Sequence, residues 1–97
     1  MFAIRFSEVA ERHLQGLTAR HRSIVLDAIS KQLQHEPLEK TRNRKELRPN
    51  PMGAWELRVQ DFRVLYNVDV DQGKVYVVAI AVKKGNKFIV DGQEHLL

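Results

Sequence analysis

The chain has 97 residues, with 16 lysines and arginines against 12 aspartates and glutamates, four histidines and no cysteine. This length supports one domain, residues 1–97, with a single core, and the 43% hydrophobic and 29% charged fractions exclude a disordered or membrane-embedded chain. The lack of cysteine rules out disulfides and thiolate metal sites, while the net charge of +4 leaves an anionic partner open.

Phe2, Ile4 and Phe6 alternate with Ala3 and Arg5, which predicts a first strand. Ser7 then reads as an N-cap, with Glu8 and Glu11 in the turn that follows. Val9, Ala10, His13, Leu14 and Leu17 recur at helical spacing and predict a helix over 8–17. Thr18 caps a second helix whose stripe is Ile24, Val25, Ala28, Ile29 and Leu33, and Pro37 stops it. So short a connection makes the two helices a hairpin.

Residues 38–53 lack periodicity, and Pro49, Pro51 and Gly53 mark them as loop. Lys40, Arg42, Arg44, Lys45 and Arg48 gather there, and Lys74, Lys83, Lys84 and Lys87 follow later. From Ala54 onward the period is two. Trp55, Leu57 and Val59 share one strand face, and Phe62, Val64, Tyr66, Val68 and Val70 share the next. Lys74 to Val82 is a third strand, apolar on both faces. Phe88-Ile89-Val90 and the turn pair Asp91-Gly92 predict a short final strand or hairpin. The order β-α-α-β-β-β is α+β, with the helical hairpin on one face of a mainly antiparallel sheet.

If Gln60-Asp61 is a two-residue turn, Val59 pairs with Phe62, Arg58 with Arg63, and Leu57 with Val64. Every large apolar residue of this hairpin except Leu65 then falls on one side, and a slip of one residue would mix the faces. A two-residue turn at Gln72-Gly73 would pair Arg63 with Val82 and bring Lys84 beside Arg58 and Arg63. Val77, Ala79 and Ala81 would then face the helices, with Leu65, Val78, Ile80 and Val82 on the other face. Like charges placed opposite each other on a sheet repel. An anion held between the arginines is one explanation; neutralisation by Glu56 and Asp61 on a solvated face is the other. The apolar strand is open to two readings as well, a partner site or a surface covered by the 88–97 tail. The histidines are scattered without ligand spacing, and no metal or other cofactor is expected. Trp55 and Tyr66 are read as core neighbours.

The element order resembles that of the RelE/ParE superfamily of toxins from type II toxin–antitoxin modules. So do the segments Trp55-Glu-Leu-Arg-Val-Gln-Asp-Phe-Arg-Val-Leu-Tyr66 and Val77-Val-Ala-Ile-Ala-Val-Lys-Lys-Gly-Asn86. The resemblance implies a toxin held in check by a cognate antitoxin. In the RelE-like branch it implies a metal-independent endoribonuclease acting on messenger RNA, including in the ribosomal A site; in the ParE-like branch, an inhibitor of DNA gyrase. A catalytically degenerate, antitoxin-binding member is a third outcome.

Arg63 matches the arginine that contacts the scissile phosphate in RelE-like enzymes, and Arg58 matches a basic residue of the preceding strand. Lys84, or Lys83 if the alignment shifts by one, matches a late arginine. The resemblance thus implies Arg58, Arg63 and Lys84 as catalytic residues, with Lys45, Arg48, Lys83 and Lys87 as RNA contacts. Leu65, Val78, Ile80 and Val82 would receive the antitoxin. Two lysines of RelE correspond here to Ala54 and Glu56, and the C-terminal tyrosine has no counterpart. Glu56 is therefore the candidate general base. The expected location is the cytoplasm: the N-terminus lacks signal-peptide features, and the longest apolar run, Val75 to Val82, is too short to span a bilayer.

Overall fold

Ser7 ends strand β1 (Ala3–Phe6) and starts helix α1 (Glu8–Gln15) in the computed structural model, which describes residues 1–95. Its hydroxyl accepts from the Ala10 N–H at 2.9 Å, satisfying one of the donors that a helix start leaves without a partner. Thr18 does the same for α2 (Ala19–Leu33), accepting from the His21 N–H at 3.1 Å. At the far end of α2 the Arg44 guanidinium donates to the Gln32 carbonyl at 2.6 Å and the Glu39 carbonyl at 3.2 Å. A cation is favoured at that negative end of the helix dipole. Arg44, read from sequence as part of a basic loop, is thus drawn inward and is 9% exposed.

The remaining strands are β2 (Arg44–Glu46), β3 (Trp55–Val59), β4 (Phe62–Asp69), β5 (Lys74–Lys84), β6 (Lys87–Val90) and β7 (Gln93–His95). They form a sheet in the order β2-β3-β4-β5-β6-β7, with β1 parallel to β5. The two helices lie on one face of this mostly antiparallel sheet, so the fold is α+β, as expected. Strand β2 lies within the segment read as loop; three residues, two of them exposed, carry no alternation to detect. Among the described residues no helix is long and apolar enough to cross a membrane.

The helix-facing core joins Ala10, Leu14, Val25, Ile29 and Leu33 to Trp55, Leu57, Val59, Phe62, Val64 and Tyr66. Trp55 and Tyr66 stack at 6.2 Å between ring centroids. Both are buried, as the sequence reading held. The Tyr66 hydroxyl donates to the Pro37 carbonyl at 2.6 Å, tying the chain beyond α2 to the sheet. Burial pushes that phenol well above its ordinary range. Gly53 sits against this hairpin with φ +154°, which L side chains rarely adopt, and a Cβ there would stand a tight 3.1 Å from the Tyr66 nitrogen.

The β3–β4 register is the expected one, with Val59↔Phe62, Arg58↔Arg63 and Leu57↔Val64. The β4–β5 register is not. The connection spans Val70 to Gly73, so Asp69 pairs with Lys74 and Tyr66 with Val77. A bulge between Leu65 and Tyr66 then makes Leu65 pair with Ala79 and Arg63 with Ala81, leaving Val78 as the extra residue.

The extra residue reverses the faces of β5 beyond it. Val75 and Val77 face the helices before the bulge, and Ile80 does so after it, with Val82 packed against the same cluster. Ala79 and Ala81 turn to the other face. There they join Leu65, Phe88 and Val90 in a second cluster, covered by Leu47 and Met52. The expected apolar patch of Leu65, Val78, Ile80 and Val82 therefore does not exist as a surface. Leu65 is 0% and Ile80 5% exposed, and they lie on opposite faces. The 88–97 tail does not fold back over the Leu65 face; its strand β6 extends the sheet beside β5 and adds Phe88 and Val90 to the Leu65 cluster, while residues 96 and 97 lie outside the described residues.

Candidate anion-binding face of the hairpin

The face of the β3–β4 hairpin turned away from the helices carries Glu56, Arg58 and Arg63. Strand β2 places Lys45 opposite Glu56. Glu56 is 4% exposed. Its Oε1 meets the Lys45 ammonium at 3.2 Å, and its Oε2 lies 3.6 Å from the Arg63 Nε. That Oε2 is buried and has no hydrogen-bond partner among the described residues. An ionised carboxylate in such a place is tolerable only because two cations flank it.

The two arginines, equivalent in sequence pattern, have different environments. Arg63 is 7% exposed, and its Nη1 donates to the carbonyls of Gln60 and Phe62, each at 2.8 Å. Burial draws its pKa below the ordinary arginine value; Glu56 and Asp61 counteract this and the Arg58 charge adds to it. Arg58 is exposed, and among the described residues no carboxylate lies within ion-pair distance of it. Strand β2 begins at Arg44 opposite Leu57, and beside Arg58 lies the uncharged Asn43, whose carbonyl accepts from the Arg58 N–H at 2.7 Å.

Lys83 shares this face. It pairs with Phe88, lies 4.8 Å above the Phe88 ring centroid, and donates its backbone N–H to the Asp61 carbonyl at 2.7 Å. Lys84 was expected beside the arginines but pairs with Lys87 on the helix side of the sheet, because the bulge moves β5 by one residue. Lys87 is there too, ion-paired with Glu94 at 2.9 Å. Arg48 is exposed in the loop between β2 and β3. The structure thus gathers Lys45, Glu56, Arg58, Arg63 and Lys83 and leaves out Lys84 and Lys87. Among the described residues no group of three or more His, Asp or Glu side chains is placed to hold a metal.

A second polar constellation was not anticipated. Strand β5 is paired with β1 only through Val77 and with β6 only from Val82, so its edge is bare between them. Helix α1 fills the gap. The Ser7 hydroxyl donates to the Val78 carbonyl at 2.7 Å, and His13 Nδ1 accepts from the Ile80 N–H at 3.0 Å. His13 Nε2 faces Asp91 at 2.7 Å, and Arg12 adds a contact to Asp91 at 3.5 Å. A shallow cavity of about 300 Å³ opens beside them, floored by Leu17, Ile80, Val82 and Ile89. The one sequence signal was the helical spacing of His13 with Ala10 and Leu14.

Residues 4–85 match the family described as the ParE toxin of type II toxin–antitoxin systems, parDE. The chain belongs to this RelE/ParE toxin family. No curated protein sequence matches it. Among solved structures it is similar to a chain of the RelBE2 toxin–antitoxin complex of Mycobacterium tuberculosis, with 28% identity and a TM-score of 0.72, covering 84% of this toxin and 98% of that chain. The isolated RelE toxin of E. coli superposes with a TM-score of 0.71 at 16% identity, over 87% of this chain and 86% of that one. A chain of the archaeal RelE–RelB complex from Pyrococcus horikoshii gives 0.68 at 19% identity, over 87% and 96%. The last two likenesses are of fold.

Proposed function

We propose that this toxin cleaves RNA without a metal and is neutralised by a cognate antitoxin, as the complexes among its structural relatives suggest. The observation that supports cleavage is the buried Glu56, flanked by Lys45 and Arg63, whose Oε2 has no hydrogen-bond partner among the described residues. A carboxylate in that position accepts a proton, and cations around it hold a phosphate and offset charge that develops on it. The 2′-oxygen of the ribose attacks the adjacent phosphorus as Glu56 takes its proton. The bond to the 5′-oxygen breaks, that oxygen takes a proton from water, and a 2′,3′-cyclic phosphate and a 5′-hydroxyl result. Lys45 contacts the other carboxylate oxygen, Oε1, from a side chain that is 64% exposed.

The test is cleavage of messenger RNA, free and ribosome-bound, by purified protein. Glu56→Gln should lower the rate about 10²–10⁴-fold. Unchanged cleavage in that variant would exclude Glu56 as the base. The match to a family described by its ParE member keeps a second reading alive, inhibition of DNA gyrase. Intact transcripts together with blocked supercoiling would establish it.

A further inference from the structure

We infer that Arg58 and Lys83, not Arg63, hold the substrate phosphate in this toxin, and that Arg63 is a positioning residue for Glu56. The inference rests on the proposed RNA reading and assigns the contacts within it.

A phosphate is gripped best by two parallel N–H donors of one guanidinium. Arg63 presents no such fork to solvent, although its Nη2 holds no hydrogen bond among the described residues. Its Nη1 serves two backbone carbonyls at the hairpin turn, its Nε points at Glu56, and 7% of the residue meets solvent. Pulling it out would abandon the Gln60 and Phe62 carbonyls and leave Glu56 with Lys45 alone. A buried carboxylate stripped of its cation is among the costlier defects a fold can carry. The lowered pKa of Arg63 has the same origin: burial opposes its charge and Glu56 supports it.

The cations at hand are its neighbours. Arg58 is opposite Arg63 on β3 and exposed; Lys83 is one strand away on the other side, half-buried against Phe88. From strand spacing and rise their backbones stand roughly 12 Å apart, a gap that two long side chains close over Arg63. An anion there sits above the Arg63–Glu56 pair, next to the one oxygen still lacking a donor.

The experiment uses the full chain and a fluorescent 2′-O-methyl RNA decamer, which cannot be cleaved. Binding is followed by anisotropy over a salt series, and each variant is melted. Arg58→Ala and Lys83→Ala should each weaken binding about 10–100-fold and reduce the salt slope by about 0.7, with the melting temperature unmoved. The double variant E56Q/R63Q removes a buried charge pair at nearly constant volume and should bind within about twofold of the parent, although it loses cleavage. R63K, which keeps the charge but cannot span the two carbonyls and Glu56 at once, should lower kcat on cleavable RNA about tenfold or more with KM little changed.

A folded E56Q/R63Q protein that binds tenfold more weakly, or an R63K effect confined to KM, would overturn the assignment and return the phosphate to Arg63. No binding by the parent protein would instead overturn the RNA reading itself.

Discussion

At the scale of single residues, the hairpin turn carries a cost that the sequence does not compensate. Gln60 has φ 54°, a region where a side chain crowds the following carbonyl. Its carbonyl is one of the two that hold Arg63, so the conformation is retained by the site it supports. Gln60→Gly removes the crowding and keeps the carbonyl. The expected gain is about 0.5–1 kcal/mol, after the greater freedom of glycine in the unfolded chain is subtracted, and shows as a rise of about 2–8 °C in Tm. A fall in Tm would mean that the Gln60 side chain has a stabilising role of its own. The arginines show how much of the site could be read at this scale. Arg58 and Arg63 were legible as a facing pair from the period-two pattern. Which of them turns inward was not, because the answer lies in where β2 begins and in two backbone carbonyls that have no sequence signature.

At the scale of elements, β5 is where local reading and structure part. Val77-Val-Ala-Ile-Ala-Val82 is apolar at every position, so alternation cannot report which side is the core. The large side chains do carry a trace of the answer. They fall at Val75 and Val77, then at Ile80 and Val82, a change of parity that a bulge at Val78 resolves. Without the bulge, alanines would face the helices and Ile80 would face solvent, leaving voids on one side and an apolar patch on the other. Ser7 links helix α1 to this bulge through the Val78 carbonyl while capping the helix as well. Ser7→Ala should therefore cost more than Thr18→Ala, which loses a cap alone. About 2 kcal/mol is expected for the first and about 1 kcal/mol for the second, from urea unfolding. Equal costs would mean that the Val78 contact contributes nothing.

At the scale of the whole molecule, the sheet forks at β5, and the contacts of α1 with β5 and with the β6–β7 turn hold the fork together. Asp91 belongs to that closure. The hydrogen bond from His13 holds its carboxyl below the ordinary range; desolvation opposes this, and the charges of His13 and Arg12 add to it. A carboxylate depressed in the folded state adds stability above its unfolded value, near ~3.9, and loses it as the pH falls through the lower folded value. The urea midpoints of the parent and Asp91→Asn should thus differ near neutrality and converge below about pH 4. A gap that persists unchanged to pH 2.5 would show that this carboxylate does not act through its charge. By itself the sequence determined the element order, both helix caps, the β3–β4 register and the family, because each of these depends on neighbours a few residues apart or on a pattern repeated along one strand. Tertiary structure alone decided the bulge, the burial of Leu65 and Ile80, the placing of Lys83 rather than Lys84 on the arginine face and the unequal burial of Arg58 and Arg63. Those outcomes depend on which distant strand lies alongside, and a register shift of one residue at Val78 reverses every side chain beyond it.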